Sequence, residues 1–202
     1  MLRQAVDFAT YSRWPVTIGI DSSGHNPAAV VASYVDGKLY VLDELYEPDM
    51  SFEQFIDELL MPMLVSKYSM NRITCVLDPS NPRAGTDKRT ALNMIHSAGL
   101  QGVLAPTNFM QNRLDAVTYF INRRGALLIA GHVEHTLAGL RGAYRYKPLK
   151  GQSGVYQPTP EKNAHSHTQD ALQYVALHVR ARSEASRVAS PIQLKARVRK
   201  IA

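Results

Sequence analysis

An α/β domain on a mixed sheet is what this sequence predicts: three antiparallel strands, then parallel strands, with helices flanking both faces. Three observations carry that expectation. Two β-rich runs, AAVVASYV and KLYVLDEL, are separated only by Asp36-Gly37, a pair suited to the tight hairpin turn whose central positions both need positive φ. A third apolar, β-branched run, VTIGI, lies just ahead of them. Beyond residue 50, short apolar runs alternate with segments of 3.6-residue periodicity, the order in which helices connect parallel strands. The 202 residues suffice for one sizeable domain with its own core.

Taken in order, residues 1–14 read as a linker or the end of something upstream, residues 15–182 as the domain, and residues 183–202 as a basic tail. After the three opening strands, Ser51 is a candidate N-cap. Phe52, Phe55, Ile56, Leu59, Leu60 and Met63 recur at helical spacing, and Pro62 is expected to kink or divide that helix. RITCVLD is a fourth strand. Residues 86–98 form a helix ended by Gly99, and GVLA a fifth strand. Residues 108–124 form a helix with Leu114, Val117, Phe120 and Ile121 on one face. ALLIA is a sixth strand, followed by a helix over 133–143 and a polar hairpin over 144–156. The last helix opens at Ser166, with Gln169 three residues on in a capping-box pattern. Leu172, Val175, Ala176 and Val179 make its apolar stripe.

Composition narrows the class. Hydrophobic content of 45% and charged content of 20% are those of a globular protein. No apolar run approaches the ~20 residues that span a bilayer. No signal-peptide core is visible near the N-terminus. Cys75 is the sole cysteine, which excludes an internal disulfide and a multi-cysteine zinc site. Together these features point to a reducing, cytoplasmic setting without a membrane. The net charge is +6, and the stretch from Arg180 onward holds seven basic residues against Glu184, so it carries the whole excess. Such a tail suits a polyanion or serves as a solubilising linker. Between residues 123 and 162, Arg123, Arg124, Arg141, Arg145, Lys147, Lys150 and Lys162 outnumber Glu134 and Glu161. Tyr144, Tyr146 and Tyr156 are interleaved, a pattern fit for a nucleic-acid face.

Three acids stand at element ends. Asp21 ends the first strand, in IGIDSSG, and Asp78 ends the fourth, in VLDPS. Sites in open α/β sheets form beyond the carboxyl ends of strands. If these strands are parallel neighbours, the two carboxylates lie side by side, where like charges raise a pKa or demand a cation. Hard carboxylate oxygens suit Mg²⁺ or Mn²⁺. Asp170 is placed in the first turn of the last helix, away from the apolar stripe, with His167 on its own face one turn earlier. Asp43-Glu44 reads as a solvated turn, and Asp87 and Asp115 as capping or helix-dipole acids.

The succession strand-Asp-hairpin, strand-Asp, helix-Asp resembles the RNase H-like superfamily of metal-dependent nucleases. More narrowly, IGIDSSG, CVLDPS and HSHTQDALQYVAL resemble the three acidic motifs of the nuclease domain of phage terminase large subunits, over roughly residues 16 to 180. No GxxxxGK[ST] phosphate loop is present, so the expectation is a nuclease domain without the packaging ATPase domain, residues 1–14 being the remnant of the interdomain linker.

The resemblance implies an endonuclease that cuts double-stranded, concatemeric viral DNA during genome packaging in the host cytoplasm. Its implied partners are the ATPase domain, the small terminase subunit and the portal. It implies that Asp21, Asp78 and Asp170 hold two Mg²⁺ or Mn²⁺ ions about 3.5–4 Å apart. Asp21 would bridge both, with Asp78 and Asp170 each completing one shell. One ion would activate water and the other stabilise the leaving 3′ oxygen. His167 would orient a water or phosphate, or assist proton transfer, with His165 a weaker candidate. Arg145, Lys147, Lys150 and Lys162 are the expected phosphate contacts, positioning DNA without reading sequence. Other classes stay open: another RNase H-like nuclease such as a Holliday-junction resolvase, an actin-like or sugar-kinase ATP-binding fold, and a non-catalytic DNA-binding module.

Overall fold

Asp36 and Gly37 take left-handed backbone, with φ of 50° and 76°. They close the hairpin between β2 (Ala28–Val35) and β3 (Lys38–Tyr46). The structure is a computed structural model that describes residues 14–23, 25–80, 90–151 and 154–189. The readings on residues 1–13, Gly24, Asp87 and the tail from residue 190 lie outside them. β1 (Val16–Asp21) pairs antiparallel with β2 on one side and parallel with β4 (Ile73–Leu77) on the other. β5 (Gln101–Leu104) and β6 (Leu127–Ile129) add in parallel to β4 and β3. The six-stranded order is β5-β4-β1-β2-β3-β6. The expected mixed sheet is therefore present, with β1 central.

Alternation along the strands divides the core in two. Val16, Ile18 and Ile20 of β1 and Ile73, Cys75 and Leu77 of β4 face one layer. That layer is α1, residues 52–67, and α2 (Ala91–Ser97). The opposite face carries α3 (Met110–Ile121), α4, residues 134–143, and α5 (Ala164–Ala189). Among the described residues no helix is long and apolar enough to cross a membrane.

Several local expectations shift for identifiable reasons. Pro62 divides α1 as expected without ending it. The turn ahead of it, Phe55–Leu60, widens to π geometry, and Met61 N–H bonds back to Ile56 O, so the chain absorbs the proline within a continuing helix. The stripe of α3 is rotated: Arg113, Ala116, Val117 and Phe120 are buried, while Ile121 is exposed. α5 opens at Ala164 rather than Ser166. Asn163 Oδ1 accepts from His165 N–H (2.9 Å), and Asn163 N–H donates to Ser166 Oγ (3.1 Å), so Ser166 closes the box instead of starting it. Asp170 therefore sits two turns into the helix, beyond reach of a first-turn dipole effect.

Asp43-Glu44 is not a solvated turn. β3 runs on to Tyr46, and a bulge opposite Val31/Ala32 breaks its alternation. Asp43 then faces α1, buried, accepting from Tyr68 Oη (2.5 Å) and Lys67 Nζ (2.8 Å) and lying 2.9 Å from His132 Nε2. Glu44 faces the other layer, where it accepts from the His135 and Thr136 N–H groups at the start of α4, at 2.6 and 2.8 Å.

Helix α5 rests on β1 at Gly19. A Cβ there would lie 1.9 Å from Ala171 O and 2.9 Å from a Val175 methyl. Backbone oxygen cannot swing aside as a side-chain tip can. Gly19→Ala is expected to lower stability by about 1–3 kcal/mol through overpacking, as measured by denaturant unfolding; an unchanged midpoint would mean that α5 can lift off the strand without cost.

Candidate active site

The face that Gly19 opens to α5 is also the face of Asp21, two residues on. Asp21 follows β1's alternation onto the α5 side, and Asp78 does the same one residue past β4. Ile20 lies opposite Leu77 in the parallel register, so the two acids come next, one strand spacing (~4.8 Å) apart. The expectation of side-by-side carboxylates on parallel neighbours is met.

Each acid is oriented the same way. Asp21 Oδ1 accepts from the Ser23 amide (3.0 Å) and hydroxyl (2.6 Å). Asp78 Oδ1 accepts from the Ser80 amide (2.8 Å) and hydroxyl (2.7 Å). These are Asx turns, in which the side chain caps its own loop. Helix α5 supplies the second partner of each. His167 Nδ1 lies 2.9 Å from Asp21 Oδ2, and the Tyr174 phenol interacts electrostatically with Asp78. Burial acts to raise the Asp21 carboxyl, but the hydrogen bonds from His167 and Ser23 outweigh it and hold it below the ordinary carboxylate value. Tyr174 is pushed well above the usual phenol range, by burial first and by the nearby Asp78 carboxylate in addition.

His167 thus pairs with Asp21 rather than projecting with Asp170. Its ring stacks on Tyr46 at 5.6 Å and 13°. Tyr46 in turn touches His135 (5.1 Å), and His135 touches His165 (5.2 Å). These rings wall the site on the β3 side.

Asp170 is buried and held by two cations. Arg113 Nη2 donates to Oδ1, and Lys162 Nζ donates to Oδ2 at 2.5 Å. The Arg113 guanidinium also lies over the Tyr174 ring, 4.8 Å from its centre. Asp170 is therefore linked to Asp78 through Arg113 and Tyr174. The Tyr144 hydroxyl is 3.5 Å from Asp170 Oδ1, and burial, then the Asp170 charge, push that phenol up to about 12.

Hard oxygens on adjacent strand ends fit a divalent ion at Asp21 and Asp78. Asp170 has both oxygens engaged by cations, and among the described residues no three His, Cys, Asp or Glu side chains converge on one ion position. Lys162, expected on DNA, is thus found on Asp170. Lys147 pairs with Glu161 at 2.8 Å. Arg145 and Lys150 lie on the hairpin of β7 (Tyr146–Pro148) and β8 (Tyr156–Pro160), where Tyr146, Leu149, Val155 and Tyr156 are exposed. A cavity of about 520 Å³ lies elsewhere, lined by Thr17, Thr74, His178 and Arg182 among others, and touches none of the three acids.

Arg113 and Tyr174 are the residues that sequence reasoning missed. A signal existed for Arg113: it stands three, four and seven residues before Ala116, Val117 and Phe120, which puts a guanidinium on the buried stripe of α3. A charge there implies a buried partner.

Asn163 fixes where α5 begins, and its Nδ2 also donates to Ala143 O at 2.9 Å. Asn163→Ala is expected to cost about 0.5–2 kcal/mol in unfolding free energy; a smaller loss would show that packing alone sets the helix start.

No protein-family model matches the sequence, and no curated protein does. Solved structures match in fold. The large terminase of a thermophilic bacteriophage, in complex with ATP-gamma-S, superposes with a TM-score of 0.65 at 15% identity, over 86% of this chain and 42% of that one. The g2p large terminase nuclease domain of bacteriophage SPP1, with bound Mn, gives 0.58 at 19% identity, over 88% and 92%. The large terminase nuclease of thermophilic phage G20c, with bound magnesium, gives 0.55 at 13%, over 80% and 79%. This chain therefore spans less than half of the first of these proteins but most of the two nuclease domains. Its mixed six-stranded sheet with flanking helices is the RNase H-like fold of large terminase nuclease domains.

Proposed function

We infer that this protein is a divalent-metal-dependent endodeoxyribonuclease, cutting double-stranded, concatemeric viral DNA during genome packaging in the host cytoplasm. The observation that carries the reading is the Asp21–Asp78 pair: two carboxylates at register-adjacent strand ends on one sheet face, each held by an Asx turn. Two like charges fixed at that spacing are costly without a cation between them. The terminase nuclease fold supports the reading, as does the Mn bound to the SPP1 domain. By the same analogy the ATPase domain, the small terminase subunit and the portal are its proposed partners.

Asp21, Asp78 and Asp170 would hold two Mg²⁺ or Mn²⁺ ions. Such ions activate water and stabilise the leaving oxygen in phosphodiester hydrolysis. The chain's own residues prepare that site. Ser23 and Ser80 fix the rotation of the two strand-end acids. His167 keeps Asp21 ionised and aimed, its ring held by Tyr46. Tyr174 orients Asp78 from the helix side. The hairpin offers Arg145 and Lys150 as phosphate contacts, beside exposed Tyr146 and Tyr156. Contacts of that kind position a duplex without reading its sequence.

Supercoiled plasmid with Mn²⁺ or Mg²⁺ is the direct test. The protein is expected to nick and linearise it. Asp21→Asn is expected to lose more than about 100-fold in rate, since even outer-shell partners of metal ligands cost 10- to 100-fold. Equal nicking by both proteins would sink the assignment of the site, and strong preference for four-way junctions over duplex would move it to a resolvase. For the hairpin, Lys150→Ala is expected to lower the salt slope of DNA affinity by about 0.9; an unaltered slope would remove Lys150 from the DNA face.

A further inference from the structure

The two cations on Asp170 are not alike. The Arg113 side chain is 8% exposed, lies over Tyr174 and comes from the middle of α3. The Lys162 side chain is 65% exposed and reaches in from the segment between β8 and α5. Removing Arg113 from Asp170 would strand a buried guanidinium, which is strongly disfavoured. Removing Lys162 returns an ammonium to water, and exposed pairs of that kind contribute little. Each cation uses a different oxygen of the carboxylate, Arg113 Oδ1 and Lys162 Oδ2.

We propose that Lys162 is an exchangeable counter-ion of the site: it neutralises Asp170 Oδ2 in the metal-free protein and leaves when a divalent ion takes that oxygen. Arg113 stays as a positioning residue, fixing Asp170 against Tyr174 in both states. The inference rests on the metal-dependent reading above and deepens it.

The exchange is also tied to the hairpin. Lys162 directly follows Glu161, whose carboxylate pairs with Lys147 of β7 and whose N–H donates to Arg145 O at 2.9 Å. A released Lys162 ammonium therefore lies two residues beyond the end of β8, one of the proposed DNA-contacting strands. Loading the acid site adds a mobile positive charge at the base of the hairpin.

The test follows Lys162 itself. The full chain is treated with an amine-acylating reagent with and without Mn²⁺, and each lysine is quantified by mass spectrometry. Lys38, exposed at the β2–β3 turn and at the opposite end of the strands from the acids, is the internal standard, and NaCl of matched ionic strength is the control. Mn²⁺ is expected to raise Lys162 labelling several-fold relative to Lys38, with no such change in NaCl. By calorimetry, Lys162→Met is expected to bind Mn²⁺ roughly 2- to 5-fold more tightly, the equivalent of one exposed ion pair. Because Lys162 is exposed, that variant should fold. Mn²⁺ binding with unchanged labelling and unchanged affinity would overturn the exchange and leave the nuclease reading intact. No Mn²⁺ binding, together with no plasmid nicking, would overturn both.

Discussion

Helix α5 can lie on the central strand only because Gly19 has no side chain, and the acid site depends on that close approach. Ala171 O occupies the space a Cβ would need. With the helix so near, His167, Asp170 and Tyr174 all come within reach of the sheet's carboxyl edge. His167 bonds Asp21, Tyr174 faces Asp78, and Asp170 stands between them in sequence. A side chain at position 19 would lift the helix and draw those partners away from their targets. The absence of one methyl group thus brings the two strand-end acids and the helix acid into one network.

That network reconciles three carboxylates in a largely buried setting. Buried charge is tolerated when it is paired and hydrogen-bonded. Asp21 has a serine hydroxyl, an amide and an imidazole. Asp78 has the matching serine turn and a phenol. Asp170 has a guanidinium and an ammonium. The network is continuous from Asp78 through Tyr174 and Arg113 to Asp170, so a change at one acid is felt electrostatically at another.

Much of the fold was legible because its signals are local. The Asp36-Gly37 turn, the apolar strands and the α5 stripe of Leu172, Val175, Ala176 and Val179 need no tertiary information. Asp21 and Asp78 were legible for the same reason: each is a lone acid closing an apolar run. The failures arose where a non-local device overrides periodicity. The bulge in β3 reverses the alternation just before Asp43, so a buried, triply partnered carboxylate read as a solvated turn. The partners of Asp170 come from 57 and 8 residues away, and no spacing rule links Arg113 to Asp170. Helical spacing sets His167 on the face of Asp170, but its partner, Asp21, comes from a strand that helical arithmetic does not see.

The chain's sole thiol lies in the same central sheet. Cys75 is fully buried in β4, flanked by Ile18 and Gly102 on the neighbouring strands, and burial pushes its pKa up to about 12. A thiol needs both its thiolate form and access to react, and here it has neither while α1 and α2 cover the sheet. Fraying of a terminus or movement of the hairpin leaves Cys75 untouched; opening of the layer between the sheet and α1 and α2 uncovers it. Its rate of alkylation is therefore a built-in clock for opening of the molecule's middle, separate from motions at its edges.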